Sequence, residues 1–316
     1  MTDAQIRKVA VVGTGLIGAS WAAQYLAGGL DVVATDPAPN AEASLRKSVE
    51  EAWELLTVVG LAPGAARERL TFTADMNAAV SQADFVQESV PERLVLKARV
   101  FAQMDEVARP DTILASSASG ITMDGIQSSC KKHPERCVLG HPFNPPHIVP
   151  LVEVVGGAKT SESVIERTVA FYASIGKKPI RLCKAIPGHV GNRLQAALYR
   201  EVLYLIQQGV LSVEDADIAV SYGPGLRWGV MGPSLQWHLA GGTGGIEHFV
   251  RQFMEGFAGL MKKLEMPDVT PALLQTVIDG VLKEANGQSV EQLANDENKM
   301  VLELLQLRAK AGRAIP

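Results

Sequence analysis

Cysteine is scarce: three residues, Cys130, Cys137 and Cys183, in a chain of 316. That number and spacing exclude a disulfide framework and a Cys-based metal knuckle, so no metal is expected and the thiols read as reduced, in a reducing compartment. Long basic runs and basic-aromatic interleaving are also missing, and the formal net charge is -4. Both observations speak against nucleic acid as a partner. No uninterrupted apolar span approaches about 18 residues, so no membrane crossing is expected. The first residues, MTDAQIRK, run almost directly into the strand-like VAVVG, which leaves no room for a signal peptide and makes the cytoplasm the expected location. Internal repeats and low-complexity tracts are absent as well. What remains is an ordinary globular composition, 47% hydrophobic and 20% charged, long enough for two domains.

Against that background one stretch stands out, LGHPFNPPHIVPLVEVVGG from Leu139 to Gly157. Its second half is an apolar run suited to a buried strand, yet it carries a carboxylate, Glu153. An isolated buried carboxylate is costly unless it has a partner. His141 stands just before a rigid Pro-Phe-Asn-Pro-Pro turn that can fold the chain back. If Glu153 accepts a hydrogen bond from one ring nitrogen of His141, the other nitrogen is left to act as a general base. The alternative is an edge strand with Glu153 in solvent and His141 an ordinary core histidine.

Upstream, the apolar run Lys8 to Val12 ends in Gly13-Thr-Gly15-Leu-Ile-Gly18 and is followed by a helical pattern. A second strand pattern then ends in Asp36, about 20 residues beyond the glycines. The full context of a dinucleotide fingerprint is therefore present. Gly13 and Gly15 permit a tight turn and a close approach of the backbone to a pyrophosphate. Gly18 permits the helix to pack on the strand, and the helix N-terminus, at Leu16 and Ile17, attracts the phosphate charge. Asp36 would accept from the ribose hydroxyls and repel a 2′-phosphate, favouring NAD over NADP.

Residues 39–70 read as helical in two pieces separated by a break at 60–64. Strand and helix patterns then alternate to Cys183, which predicts an α/β, doubly wound, mostly parallel Rossmann-type sheet with ligands at the carboxyl ends of its strands. Two of those ends are polar, Gln87 to Glu92 leading to Lys97, and Ser116 to Gly120. The small hydroxyls there either bind a nicotinamide ribose, a carboxamide or a substrate oxygen, or merely cap the next helix. Beyond a hinge at residues 185–188 only helical patterns remain. The boundary is expected at 186/187, with an NAD-binding domain before it and an all-α substrate and dimerisation domain after it. The helix after the hinge carries apolar residues on more than one face, which predicts a homodimer.

Taken together, GxGxxG, VPE…K, SSASG, GHPFNPP…LVEV and PGHVGNR, in this order, resemble the 3-hydroxyacyl-CoA dehydrogenase family over essentially the whole chain. The resemblance implies that His141 and Glu153 form a catalytic dyad, that Ser119 and Asn192 contact the substrate oxygen, and that Glu92, Lys97 and Ser117 lie along the nicotinamide half of NAD. Asn144 would help shape the same site. The segment 37–70 holds one lysine, Lys47, where acyl-CoA-using members carry a lysine-rich insertion. The phrases QESVPERLVLK, PLVEVVGG, GLRW and AGG…HF resemble instead the small-substrate branch, the dehydrogenases of L-carnitine and L-gulonate. Carnitine is the first expectation and gulonate the second, with a 3-hydroxyacyl-CoA as the remaining alternative. A quaternary ammonium calls for aromatic faces. Phe143, Tyr199, Tyr204, Trp228 and Trp237 are available for a cage, or are core. Arg227 either binds the substrate carboxylate or sits in an ion pair.

Overall fold

The computed structural model describes residues 6–311. The chain divides into two compact units, the first ending at Asn192 and the second beginning at Arg193.

The first unit is built on an eight-stranded sheet in the order β3-β2-β1-β4-β5-β6-β7-β8. Its strands are β1 (Lys8–Val12), β2 (Asp31–Thr35), β3 (Leu70–Phe72), β4 (Phe85–Glu88), β5 (Ile113–Ser116), β6 (Cys137–Pro142), β7 (Leu151–Gly156) and β8 (Lys178–Arg181). The helices between them are α1 (Leu16–Ala27), α2 (Ala41–Val59), α3 (Met76–Ser81), α4 (Leu94–Val107), α5 (Met123–Gln127) and α6 (Glu162–Ser174). All strand pairs are parallel except β6 with β7. The expected doubly wound sheet is present, and its strands read as near-continuous apolar runs because both faces are covered. Side chains alternate between two cores. Val9 and Val11 join Trp21, Tyr25, Phe85, Phe171 and Tyr172 on one face, while Ala10 and Val12 join Val86, Phe101, Leu114 and Leu139 on the other.

One local expectation is corrected. Between residues 39 and 70 there is a single helix, α2, and not two. It stops at Gly60, whose φ of 113° no right-handed helix accommodates, and only a short 3₁₀ turn, Arg67–Arg69, follows the Pro63-Gly64 pair.

The chain order places the reversal of winding between β1 and β4, so the loop after β1 lies where a crevice opens at the strand ends. The loop from Phe143 to Pro150 folds the chain back, and β7 runs antiparallel to β6 with His141 directly opposite Glu153. Such cross-strand neighbours project on the same face. This loop is itself anchored. The Lys177 ammonium donates to the carbonyls of Pro146 and Val149, and Ser20 accepts the His147 amide at 2.9 Å. Burial pulls Lys177 down to about 7.

The helix α7 (Gly191–Gln207) leads into the second unit, which holds α8 (Val213–Tyr222), α9 (Pro224–Trp228), α10 (Pro233–Ala240), α11 (Gly245–Met261), α12 (Pro271–Ala285) and α13 (Val290–Lys310). Ser212 caps α8 through the Asp215 amide, and Ser289 with Gln292 forms a complete capping box at α13. A small core gathers Val202, Ile206, Val213, Ala216 and Leu273.

Candidate active site

The glycine loop follows from β1. Gly13 has a φ of 89°, and a side chain there would meet the Ser89 and Val90 backbone at 2.9 Å. At Gly18 a Cβ would lie 1.9 Å from the Gly13 carbonyl oxygen, so this glycine exists to let α1 sit on the turn. Gly15 differs from both: a Cβ there meets nothing within 4 Å, so open space lies over the backbone. It is also the N-cap of α1 and offers no side-chain cap, leaving the first amides of the helix, from Leu16 and Ile17 onward, free of a side-chain acceptor. Open space over an uncapped helix N-terminus fits a pyrophosphate. Asp36, just past β2, accepts the Thr14 amide at 2.8 Å and the Ala38 amide at 2.8 Å, which locks the acid beside the glycine turn.

At the end of β4 lies a buried charged cluster. Glu88 is fully buried and binds the Lys97 ammonium at 2.8 Å, the Val90 amide at 2.6 Å and the Ser116 hydroxyl at 2.5 Å. Burial pushes the Glu88 carboxyl up, with Lys97 acting in opposition. Lys97, expected beside the nicotinamide, is 1% exposed, and its ammonium is committed to Glu88 and to the Val90 carbonyl. It therefore holds up the turn that carries Glu92 more directly than it offers itself to a ligand. Glu92 in turn accepts the amides of Ser119 and Gly120 at 2.9 and 2.8 Å, fixing the loop on which Ser119 stands.

A second buried network was not anticipated. Gln87 Oε1 accepts the hydroxyls of Tyr25 at 2.9 Å and Tyr172 at 2.6 Å, which fixes the orientation of the amide. Its Nε2 must then donate, and it does so to Ser117 Oγ at 2.8 Å and to the Gly140 carbonyl at 3.4 Å. Because Ser117 receives that hydrogen, its own hydroxyl hydrogen is free to point to Ser89 Oγ, 2.9 Å away, or to an incoming acceptor. The sequence signal was the polar end of β4, where Gln87 and Glu88 follow the apolar Phe85 and Val86.

His141 and Glu153 come together. Nδ1 lies 2.8 Å from Glu153 Oε2, with both side chains buried. The other carboxylate oxygen accepts the amides of Val190 at 2.7 Å and Gly191 at 3.0 Å. The carboxylate is thus satisfied on both sides, and Nε2 is the ring nitrogen of His141 that the acid does not hold. Burial lowers the proton affinity of His141 below the ordinary histidine value, the hydrogen bond it donates to Glu153 opposes that, and His189 adds to the lowering. A neutral imidazole oriented by a carboxylate can act as a general base.

The remaining expected residues are less gathered. Asn144 precedes a cis peptide bond to Pro145, and Phe143 packs over Gly191, where a Cβ would come within 2.6 Å of its ring. Asn192 is the second residue of α7. In the second unit, Arg227 donates to Gln236 at 2.8 Å, and Trp228 is 41% exposed. Trp237, half-buried, stacks on Phe249 at 4.8 Å and meets Phe257 at 5.1 Å, so its ring is engaged in an aromatic cluster of the second unit. Among the described residues no group of three or more His, Cys, Asp or Glu is arranged to hold a metal ion.

Residues 8–186 match the family model described as 3-hydroxyacyl-CoA dehydrogenase, NAD binding domain, and residues 188–292 match its C-terminal domain. An L-carnitine dehydrogenase of Bacillus cereus is 45% identical over 96% of this chain and 93% of its own length. One of Streptomyces griseus is 43% identical, covering 98% and 92%. Among solved structures, an NAD-dependent 5-formyl-3-hydroxy-2-methylpyridine 4-carboxylic acid 5-dehydrogenase aligns with a TM-score of 0.83 at 31% identity, covering 96% of this chain and 99% of that one. The first unit is an NAD-binding domain, and the chain belongs to the 3-hydroxyacyl-CoA dehydrogenase family.

Proposed function

We propose that this protein oxidises the 3-hydroxyl of a small L-3-hydroxy acid to the ketone with NAD, and that L-carnitine is its substrate. The observation that carries the reaction class is the His141–Glu153 pair, one ring nitrogen held at 2.8 Å and the other available. In this reading Nε2 of His141 takes the proton from the substrate hydroxyl as the carbinol hydrogen leaves with its electron pair. NAD, when bound over Gly15 and beside Asp36, supplies the acceptor for that hydride. Glu153 keeps the imidazole in the correct tautomer and supports the positive charge that develops on it. Ser119 and Asn192 contact the substrate oxygen, Glu92 and Ser117 line the nicotinamide end, Lys97 supports Glu92 from beneath, and Asn144 shapes the same site. Phe143, Arg227 and Trp228 are the candidates for contacts to the rest of the substrate.

The choice of carnitine rests on relatives of that name, 41–45% identical over nearly the full chain. A CoA thioester is disfavoured by the charges around α2. Arg46 pairs with Glu42, Lys47 with Glu51, Arg67 with Glu50 and Arg69 with Asp31, so each of these cations of segment 37–70 already faces an acid. Incubation with L-carnitine, L-gulonate or 3-hydroxybutyryl-CoA and NAD, followed by NADH absorbance, tests the reading. Turnover of L-carnitine is expected, and turnover of none of the three removes it.

A domain boundary at 186/187, a homodimer and a cytoplasmic location belong to the same proposal. The dimer is supported by apolar surface on α7, where Leu194 is 66% and Tyr199 50% exposed. A monomeric mass by light scattering would contradict it.

A further inference from the structure

The segment between β8 and α7 contains a residue that the mechanism above does not use. His189 has a φ of 50°, in the left-handed region that a non-glycine residue seldom adopts, and it is only 3% exposed. Its Nε2 lies 3.1 Å from the Ala118 carbonyl, which can only accept, so Nε2 carries the hydrogen. Nδ1 is buried and has no hydrogen-bond partner among the described residues. The imidazole ring lies 5.0 Å from that of His141, tilted by 43°. A buried polar atom without a partner is costly, and a left-handed non-glycine residue adds to that cost. Both features occur at one residue, in contact with the imidazole that would perform the chemistry.

The conformation has a direct geometric consequence. The turn at His189 aims the next two amides, of Val190 and Gly191, at Glu153 Oε1. At the same time its ring holds the carbonyl between Ser117 and Ser119. His189 therefore joins three parts of the site: the amides that hold the acid, the serine loop and the face of the base. The charged groups around His141 are Glu153 from β7 and Glu92 from the loop after β4, and neither pairs with His189.

We propose that His189 is a positioning residue for the His141–Glu153 pair: by holding the Ala118 carbonyl in a left-handed turn, it sets the amides that orient Glu153 and the wall against which His141 is held. This rests on the reading of His141 as the base.

The test compares His189→Phe, which keeps a ring but loses the donor, with His189→Asn, which tolerates a positive φ and keeps an N–H. Steady-state kinetics are measured with L-carnitine and NAD, and NAD binding by calorimetry verifies the fold of each variant. Expected is a loss in kcat of about tenfold or more for His189→Phe, with both KM values nearly unchanged, and partial recovery for His189→Asn. Unchanged kcat in both variants overturns the proposal. So does an equal loss in both accompanied by loss of NAD binding, which marks a packing residue only. A parallel His141→Asn variant separates the two readings. If it is inactive while His189→Phe is normal, only the role of His189 falls; if it is active, the base itself is misassigned.

Discussion

Val190 donates its amide to Glu153 at 2.7 Å, on the carboxylate oxygen opposite the one that meets His141. With the Gly191 amide, this seats the acid at the N-terminus of α7, where the positive end of the helix dipole favours a carboxylate. Backbone amides as well as the imidazole therefore fix the orientation of the Glu153 carboxyl group, and its single acceptor role toward Nδ1 follows.

Glu153→Gln should leave the fold intact, because an amide oxygen can still accept from Val190 and Gly191. The amide NH₂ then faces Nδ1 and forces the hydrogen onto Nε2, the wrong tautomer for a base. A fall in kcat of about 10³–10⁴ is expected, with NAD affinity retained. Stopped-assay NADH absorbance and calorimetry measure the two quantities.

The pH dependence follows from the direction of the His141 shift. The base works when neutral, and burial lowers its proton affinity below the ordinary 6.5. Activity is therefore present above that value and is lost as pH falls through the lowered one, by about tenfold per unit. A kcat/KM profile whose acid limb is centred above 6.5 would contradict the buried geometry.

Two glycines of one loop should respond differently. Gly18→Ala places a carbon against the Gly13 carbonyl at 1.9 Å, so it should lower stability by about 1–3 kcal/mol or more. Gly15→Val meets open space and should melt like the parent, but it fills the volume reserved for the pyrophosphate and should lose NAD affinity at least about tenfold. Thermal melts and calorimetric titrations distinguish the two.

Gln87→Leu removes the acceptor of two buried tyrosine hydroxyls and the donor to Ser117. A loss of about 2–4 kcal/mol is expected from the orphaned groups. The KM for NAD should rise further than it does in Tyr172→Phe, which removes one donor and leaves Ser117 paired. Equal KM effects in the two variants would place the role of Gln87 in folding alone.

Much of the first unit could be read from residue order. Apolar runs such as Val9 to Val12 marked strands covered on both faces, and Gly13, Gly15 and Gly18 marked the turn, because a backbone that must approach a neighbour closely tolerates no side chain. His141 and Glu153 were conspicuous as polar residues in apolar surroundings. The second piece of helix before Leu70 was misread, since mixed charges keep a helical look after Pro63 and Gly64 have ended the helix.

Composition and local pattern alone determined the class of fold, marked the glycine loop and singled out His141 and Glu153 as polar residues in apolar surroundings, since each depends on side chains close together along the chain. Only the tertiary structure decided that β7 runs antiparallel to β6 with Glu153 opposite His141, that the Val190 and Gly191 amides hold the acid, and that Tyr25 and Tyr172 orient Gln87 from 62 and 85 residues away. The physical reason is that a backbone amide donates in the same way whatever its side chain, and a hydrogen bond between distant residues leaves no spacing in the sequence to mark it.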